Sequence, residues 1–115
     1  MQPRLKITIC NENKEPILGP GPYQLLKNIQ KEKSINKVCK NMELSYSKAM
    51  RMIHNLENST NKKILEKIIG GKGGGCTELT DYGKKLLNDY EKFVEKLNCT
   101  LNEEYKNILS KYFKK

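Results

Sequence analysis

A single histidine, four scattered cysteines and no long apolar run leave this chain few routes to catalysis or into a membrane. Cys10, Cys39, Cys76 and Cys99 form no C-x-x-C pair, and with only His54 to join them they make a poor zinc set. No metal is expected. No apolar stretch approaches the length of a bilayer span, and the opening M-Q-P-R-L-K lacks the apolar core of a signal peptide. A cytoplasmic protein with no membrane partner is expected, its thiols unpaired in a reducing compartment and Cys39 in a core. The sequons at Asn58 and Asn98 then carry no meaning. Paired carboxylates and a nucleophile with its base are also missing, so an enzyme is the weakest reading and no cofactor is expected.

What the chain has in excess is positive charge. Its 22 Lys and Arg against 13 Asp and Glu give a net charge of +9, which favours a polyanionic partner, either nucleic acid or an anionic surface. With 115 residues, 37% of them apolar, it is long enough for one domain with a core and too short for a large enzyme.

The stretch from Ile64 to Leu79 narrows the choice. Two apolar-rich runs, Ile64 to Ile69 and Cys76 to Leu79, flank five glycines around Lys72, which reads as a β-hairpin with a long tip. Gly71 and Gly73 leave backbone amides bare beside the lysine cation, a combination suited to lying against phosphates. A nucleotide P-loop fits poorly, because Lys72 is followed by Gly73 rather than Ser or Thr and a second strand follows in place of a helix. A purely structural hairpin tip is the plainer alternative.

Upstream, Leu5, Ile7 and Ile9 alternate with Arg4, Lys6 and Thr8, predicting a half-buried strand, with a hairpin over residues 1–18. Gly19-Pro20-Gly21-Pro22 breaks the chain and opens a helix to about Glu32, with Tyr23, Leu25, Leu26 and Ile29 inward. Ser34 caps a short helix carrying Ile35, Val38, Cys39 and Met42, and Ser45 caps the next. At 100° per residue that next helix sorts Tyr46, Ala49, Met52, Ile53 and Leu56 onto one face. The opposite face holds Ser47, Lys48, Arg51, His54, Asn55 and Asn58, hydrogen-bonding and cationic side chains with no acid among them.

Two short helices with such a second face over residues 34–58 predict a helix-turn-helix, and the hairpin at 64–79 makes it winged. The fold class expected is mainly α with small β: a winged helix-turn-helix with an N-terminal strand and a long C-terminal dimerisation helix, all in one DNA-binding domain. Arg51 is placed to read a guanine edge and Asn55 an adenine, while Lys48, Lys72 and Ser47 hold phosphates. A protein-interaction module that reuses the fold, its charge serving only solubility, is the alternative.

After a Thr80 cap, Tyr82, Leu86, Tyr90, Phe93, Leu97, Leu101, Tyr105, Ile108 and Tyr112 recur every three or four residues within residues 80–115. That stripe outruns the small domain. Either the same helix of a second copy covers it, giving a homodimer through Leu86 to Tyr112, or the segment folds back as a helical hairpin broken near Asn98-Cys99-Thr100, where Thr100 to Glu103 reads as a capping box.

The motifs L-G-P-G from Leu18, S-Y-x-x-A from Ser45, G-G-K-G-G-G from Gly70 and L-T-x-x-G from Leu79 together resemble the N-terminal winged-helix domain of ModE-type molybdate regulators, a LysR-like DNA-binding domain. The resemblance covers about residues 3 to 97. It implies a dimeric transcription factor on double-stranded DNA, with Ser45, Tyr46, Ser47, Lys48, Arg51 and Lys72 at the DNA. Two departures stand out. Glu43 occupies the inter-helix turn where that family usually has glycine, so a positive φ there would cost on the order of 1 kcal/mol. The family's ligand-binding C-terminal domains have no counterpart in these 115 residues, so no molybdate site is expected in them.

Overall fold

A computed structural model describes residues 1–69 and 76–113. The order is β1 (Ile9–Cys10), β2 (Pro16–Leu18), α1 (Pro20–Glu32), α2 (Ile35–Met42), α3 (Tyr46–Thr60), β3 (Leu65–Ile68), β4 (Cys76–Leu79) and α4 (Asp81–Glu104), then a π-helical turn Tyr105–Leu109 and a 3₁₀ turn Ser110–Tyr112. The class is mainly α with small β, winged-helix-like.

Each helix of the head starts and stops where its residues dictate. Pro20 stands in the first turn of α1, where its missing N–H costs nothing, and Leu25, Leu26 and Ile29 are fully buried. Ser34 Oγ accepts the Lys37 N–H at 3.3 Å and Ser45 Oγ accepts that of Lys48 at 3.1 Å, so both predicted caps are made. Val38 and Cys39 of α2 and Ala49, Ile53 and Leu56 of α3 close the core against α1. Past α1, Lys33 turns left-handed and its carbonyl accepts the Thr77 N–H at 2.9 Å, which fastens the head to β4.

Glu43 does adopt the left-handed conformation, φ 55°, while its N–H and that of Leu44 close the end of α2. An L-residue pays roughly 1–2 kcal/mol there, and glycine returns part of that gain through its freer unfolded chain. Glu43 is exposed, so no packing is lost on replacing it. Glu43→Gly is therefore expected to stabilise the fold by about 0.5–1 kcal/mol. A urea midpoint unchanged or lowered would show that the turn carries no strain.

The hairpin pairs Leu65 with Leu79, Glu66 with Glu78, Lys67 with Thr77 and Ile68 with Cys76, antiparallel. By alternation Leu65, Lys67, Thr77 and Leu79 share a face, and since Thr77 and Leu79 are buried that face turns to the core. Its base is tied twice. The Glu57 carboxylate accepts the Ile64 N–H at 2.9 Å. Thr80 caps α4 by accepting the Gly83 N–H at 3.0 Å, while its own hydroxyl donates to the Lys63 carbonyl at 2.7 Å and its N–H to that of Ile64 at 2.9 Å. Gly83 lies so close that a Cβ there would stand 2.6 Å from the Ile64 carbonyl oxygen.

Helix α4 docks through Gly83 and Leu87, each one position off the aromatic stripe read from the sequence, and through Tyr90, a member of that stripe. Tyr90 donates to the Ile7 carbonyl at 2.8 Å and its ring meets Tyr23 at 5.6 Å between centroids. Tyr23 in turn donates to Glu91 at 2.6 Å, and Lys27 pairs with Glu91 at 2.9 Å. Donation to that carboxylate pushes the Tyr23 hydroxyl up to about 12, and the same bond, with help from Lys27, lowers the Glu91 carboxyl.

Three expectations are corrected here. The N-terminal strand is only Ile9–Cys10, and Leu5 and Ile9 are exposed rather than half-buried, because the chain offers this edge no strand beyond Pro16–Leu18. The helical hairpin is not formed: α4 runs through Asn98, Cys99 and Thr100, and the Thr100 hydroxyl donates back to the Lys96 carbonyl at 3.3 Å instead of capping a new helix. Tyr90, grouped with the dimerisation stripe, is buried within its own chain. Beyond Val94 the helix leaves the core, and the radius of gyration is 17.5 Å against about 13 Å for a compact chain of this length.

Candidate nucleic-acid interface

Helix α3 presents its polar face outward. Ser45, Ser47, Lys48, Arg51, His54 and Asn58 are exposed and Asn55 is half-buried. The ion pairs among the described residues are Lys27 with Glu91 and Lys33 with Glu78, so Lys48 and Arg51 have no acidic partner there. The one acid of α3, Glu57, is spent on the Ile64 N–H, and no acid stands in the first turn. The opening of α3 therefore combines the Tyr46 and Ser47 amides that the Ser45 cap leaves over, the Ser47 hydroxyl and the Lys48 ammonium, the arrangement with which a helix start holds a phosphate. Ser45 Oγ is already an acceptor in its cap, leaving its O–H to donate outward.

Tyr46 departs from the angular sorting. It was grouped with Ala49, Ile53 and Leu56, yet it is 51% exposed. It occupies the first turn, where the core beneath α3 has ended, so its ring overhangs the gap toward the wing. Met52 of the same face is only half-buried, against Gly21, and Met50 packs onto the core beside it.

That gap is a cleft of about 190 Å³ between α3 and β3. Tyr46, Met50, His54 and Glu57 line it from the helix, Lys63, Leu65, Glu66 and Lys67 from the wing, with Ile35, Ile53 and Thr77 beneath. Lys63 and Lys67 were absent from the candidate residues of the sequence. The signal for Lys67 lay in the alternation with Leu65, which puts it on the inner face of the wing. Gly71, Lys72 and Gly73 lie outside the described residues. Among the described residues, no group of three His, Cys, Asp or Glu side chains is gathered that could hold a metal ion, and no helix is long and apolar enough to cross a membrane.

The chain is similar to the molybdenum transport protein ModE of Azotobacter vinelandii, 33% identical over 93 residues that cover 75% of the chain and 34% of that protein. It is 38% identical over 74 residues to the transcriptional regulator ModE of Haemophilus influenzae, covering 64% of the chain and 29% of the relative. The DNA-binding transcriptional dual regulator ModE of Escherichia coli K12 is 32% identical over 91 residues, 79% of the chain and 34% of its own length. The chain is homologous to an N-terminal ModE-type fragment. It spans about a third of the length of these curated relatives. No family model matches it. The ModE resemblance of the motifs thus has its counterpart in relatives aligned over most of the chain.

Proposed function

We propose that this chain is the DNA-binding part of a transcriptional regulator, acting as a two-fold dimer on a roughly palindromic operator without catalysis. The observation that carries the reading is the acid-free outward face of α3, cationic and unpaired among the described residues. In that reading α3 enters the major groove, Arg51 and Asn55 meet base edges, and Ser45, Tyr46, Ser47, Lys48 and His54 line the groove and backbone. The wing tip, with Gly71, Lys72 and Gly73, belongs to the same reading as a backbone or minor-groove contact. Relatives named as DNA-binding and transcriptional regulators support it.

The dimer is proposed on α4. Phe93, Ile108 and Tyr112 are 45%, 56% and 69% exposed, and Leu86, Leu97, Leu101 and Tyr105 are half-buried, Leu86 against the core and Tyr105 against Phe113, leaving an apolar stripe only partly covered among the described residues. An open groove of about 690 Å³ between the N-terminal segment and α4, lined by Leu5, Ile7 and Val94 among others, continues it. A closed two-fold pairing buries such a stripe on both copies at once. Two recognition helices then stand about one DNA turn apart, or a multiple of it.

Selection of bound duplexes from a random pool, followed by footprinting, tests the reading, and an unenriched pool with no footprint would refute it. On a selected site Arg51→Ala is expected to cost roughly 1–3 kcal/mol and to blunt preference at one position. Lys48→Ala should weaken selected and random DNA about equally and flatten the salt dependence by about one charge. Equal behaviour of the two variants in an anisotropy titration would remove this division of labour.

A further inference from the structure

The cleft between α3 and the wing carries basic side chains on both walls, above Ile35, Ile53 and Thr77. His54 stands on the helix wall, Lys63 and Lys67 on the wing wall. Glu57, the acid of the helix wall, is bound to the Ile64 N–H. Glu66 borders the cleft from the hairpin face opposite Lys67, across from Glu78, and Glu78 is paired with Lys33. Tyr46 completes the rim. An anionic strand running between recognition helix and wing would pass over these side chains.

We infer that this cleft seats the phosphates of one DNA strand, with Lys63 and Lys67 as fixed cations and His54 bound as imidazolium, so that DNA binding takes up a proton. The inference rests on the DNA-binding reading above and adds to it a phosphate seat and its proton linkage. An added anion within a few ångströms favours the charged imidazole, whatever the flanking charges set in the free protein. The sign follows: a protein that takes up a proton on binding loses affinity as pH rises. His54 is the only histidine of the chain.

The test uses the full chain with a fluorescein-labelled mixed-sequence duplex, at constant ionic strength from pH 5.5 to pH 8. Wild type is expected to lose about tenfold in affinity across the range, the equivalent of one unit of linked titration. His54→Gln should bind with the weak, high-pH affinity throughout. His54→Lys, whose charge does not change in this range, should bind tightly and flatly. Lys63→Ala with Lys67→Ala should reduce the slope of log affinity against log salt by about 1.8, two phosphate contacts at 0.9 each. A pH dependence that survives in His54→Gln, or an unchanged salt slope in the double lysine variant, overturns the inference while leaving DNA binding intact. Absence of any binding by wild type at pH 5.5 and low salt overturns the parent reading and this inference with it.

Discussion

Replacing Gly83 by alanine is expected to destabilise the protein by about 2 kcal/mol, although helix propensity alone predicts a gain of about 1 kcal/mol at that position. The added Cβ would stand 2.6 Å from the Ile64 carbonyl oxygen, and neither side can give way cheaply. That carbonyl accepts the Thr80 N–H, and the Ile64 side chain is fully buried. On the other side Gly83 is held by its own N–H to Thr80 Oγ1. Forcing extra volume into such a place typically costs 1–3 kcal/mol, and here the yielding atoms are backbone, with hydrogen bonds broken as they shift. Against a total stability of 5–15 kcal/mol for a typical domain this is a large fraction. Urea unfolding followed by circular dichroism decides the sign. A raised midpoint would mean that the wing base slides freely and that propensity governs.

Removing the residues after Leu97 should leave the head folded and separate the two copies. Asn98 to Phe113 contribute no fully buried side chain, and Leu101 and Tyr105 are only half-covered, so the single chain loses little core. The proposed partner surface, in contrast, loses Leu101, Tyr105, Ile108 and Tyr112 together. Without it each head meets its half-site alone, and the loss of linked binding is expected to weaken affinity for a palindromic site by about 10²–10⁴-fold, far beyond the effect of removing a few lysines. Sedimentation of both proteins at micromolar concentration is the check. A full-length monomer would show that the stripe needs no second copy.

The capped helices were legible because their signals are local. Ser34, Ser45 and Thr80 each hydrogen-bond a backbone N–H three residues on, and such a cap depends on nothing distant. Glu43 was readable through the family resemblance alone, as a departure in a turn where those regulators usually have glycine. Tyr46 misled because angular sorting treats a helix as if core lay beneath its whole length, whereas the first turn of α3 projects past it. The N-terminal alternation gave a face without saying what would cover it, and the chain supplies almost nothing to Leu5 and Ile9. The docking residues of α4 escaped for another reason. Gly83 and Leu87 are buried by contacts with the wing base and core, 19 residues back at Ile64 in the case of Gly83, and spacing within one helix does not report such partners. The aromatic stripe one step around the helix was the louder pattern.

Thr80 belongs to two elements at once, the last link of the wing and the first of α4. Wing base and helix therefore swing as one lever rather than bending at a joint. The arm is long: 24 helical residues reach about 36 Å at 1.5 Å each. If two such arms cross near their far ends, a change of only about 10° in crossing angle alters the separation of the heads by about 6 Å, close to the rise of two base pairs. In the proposed dimer a lever of that length would tie the spacing of the two heads to the angle at which the arms cross.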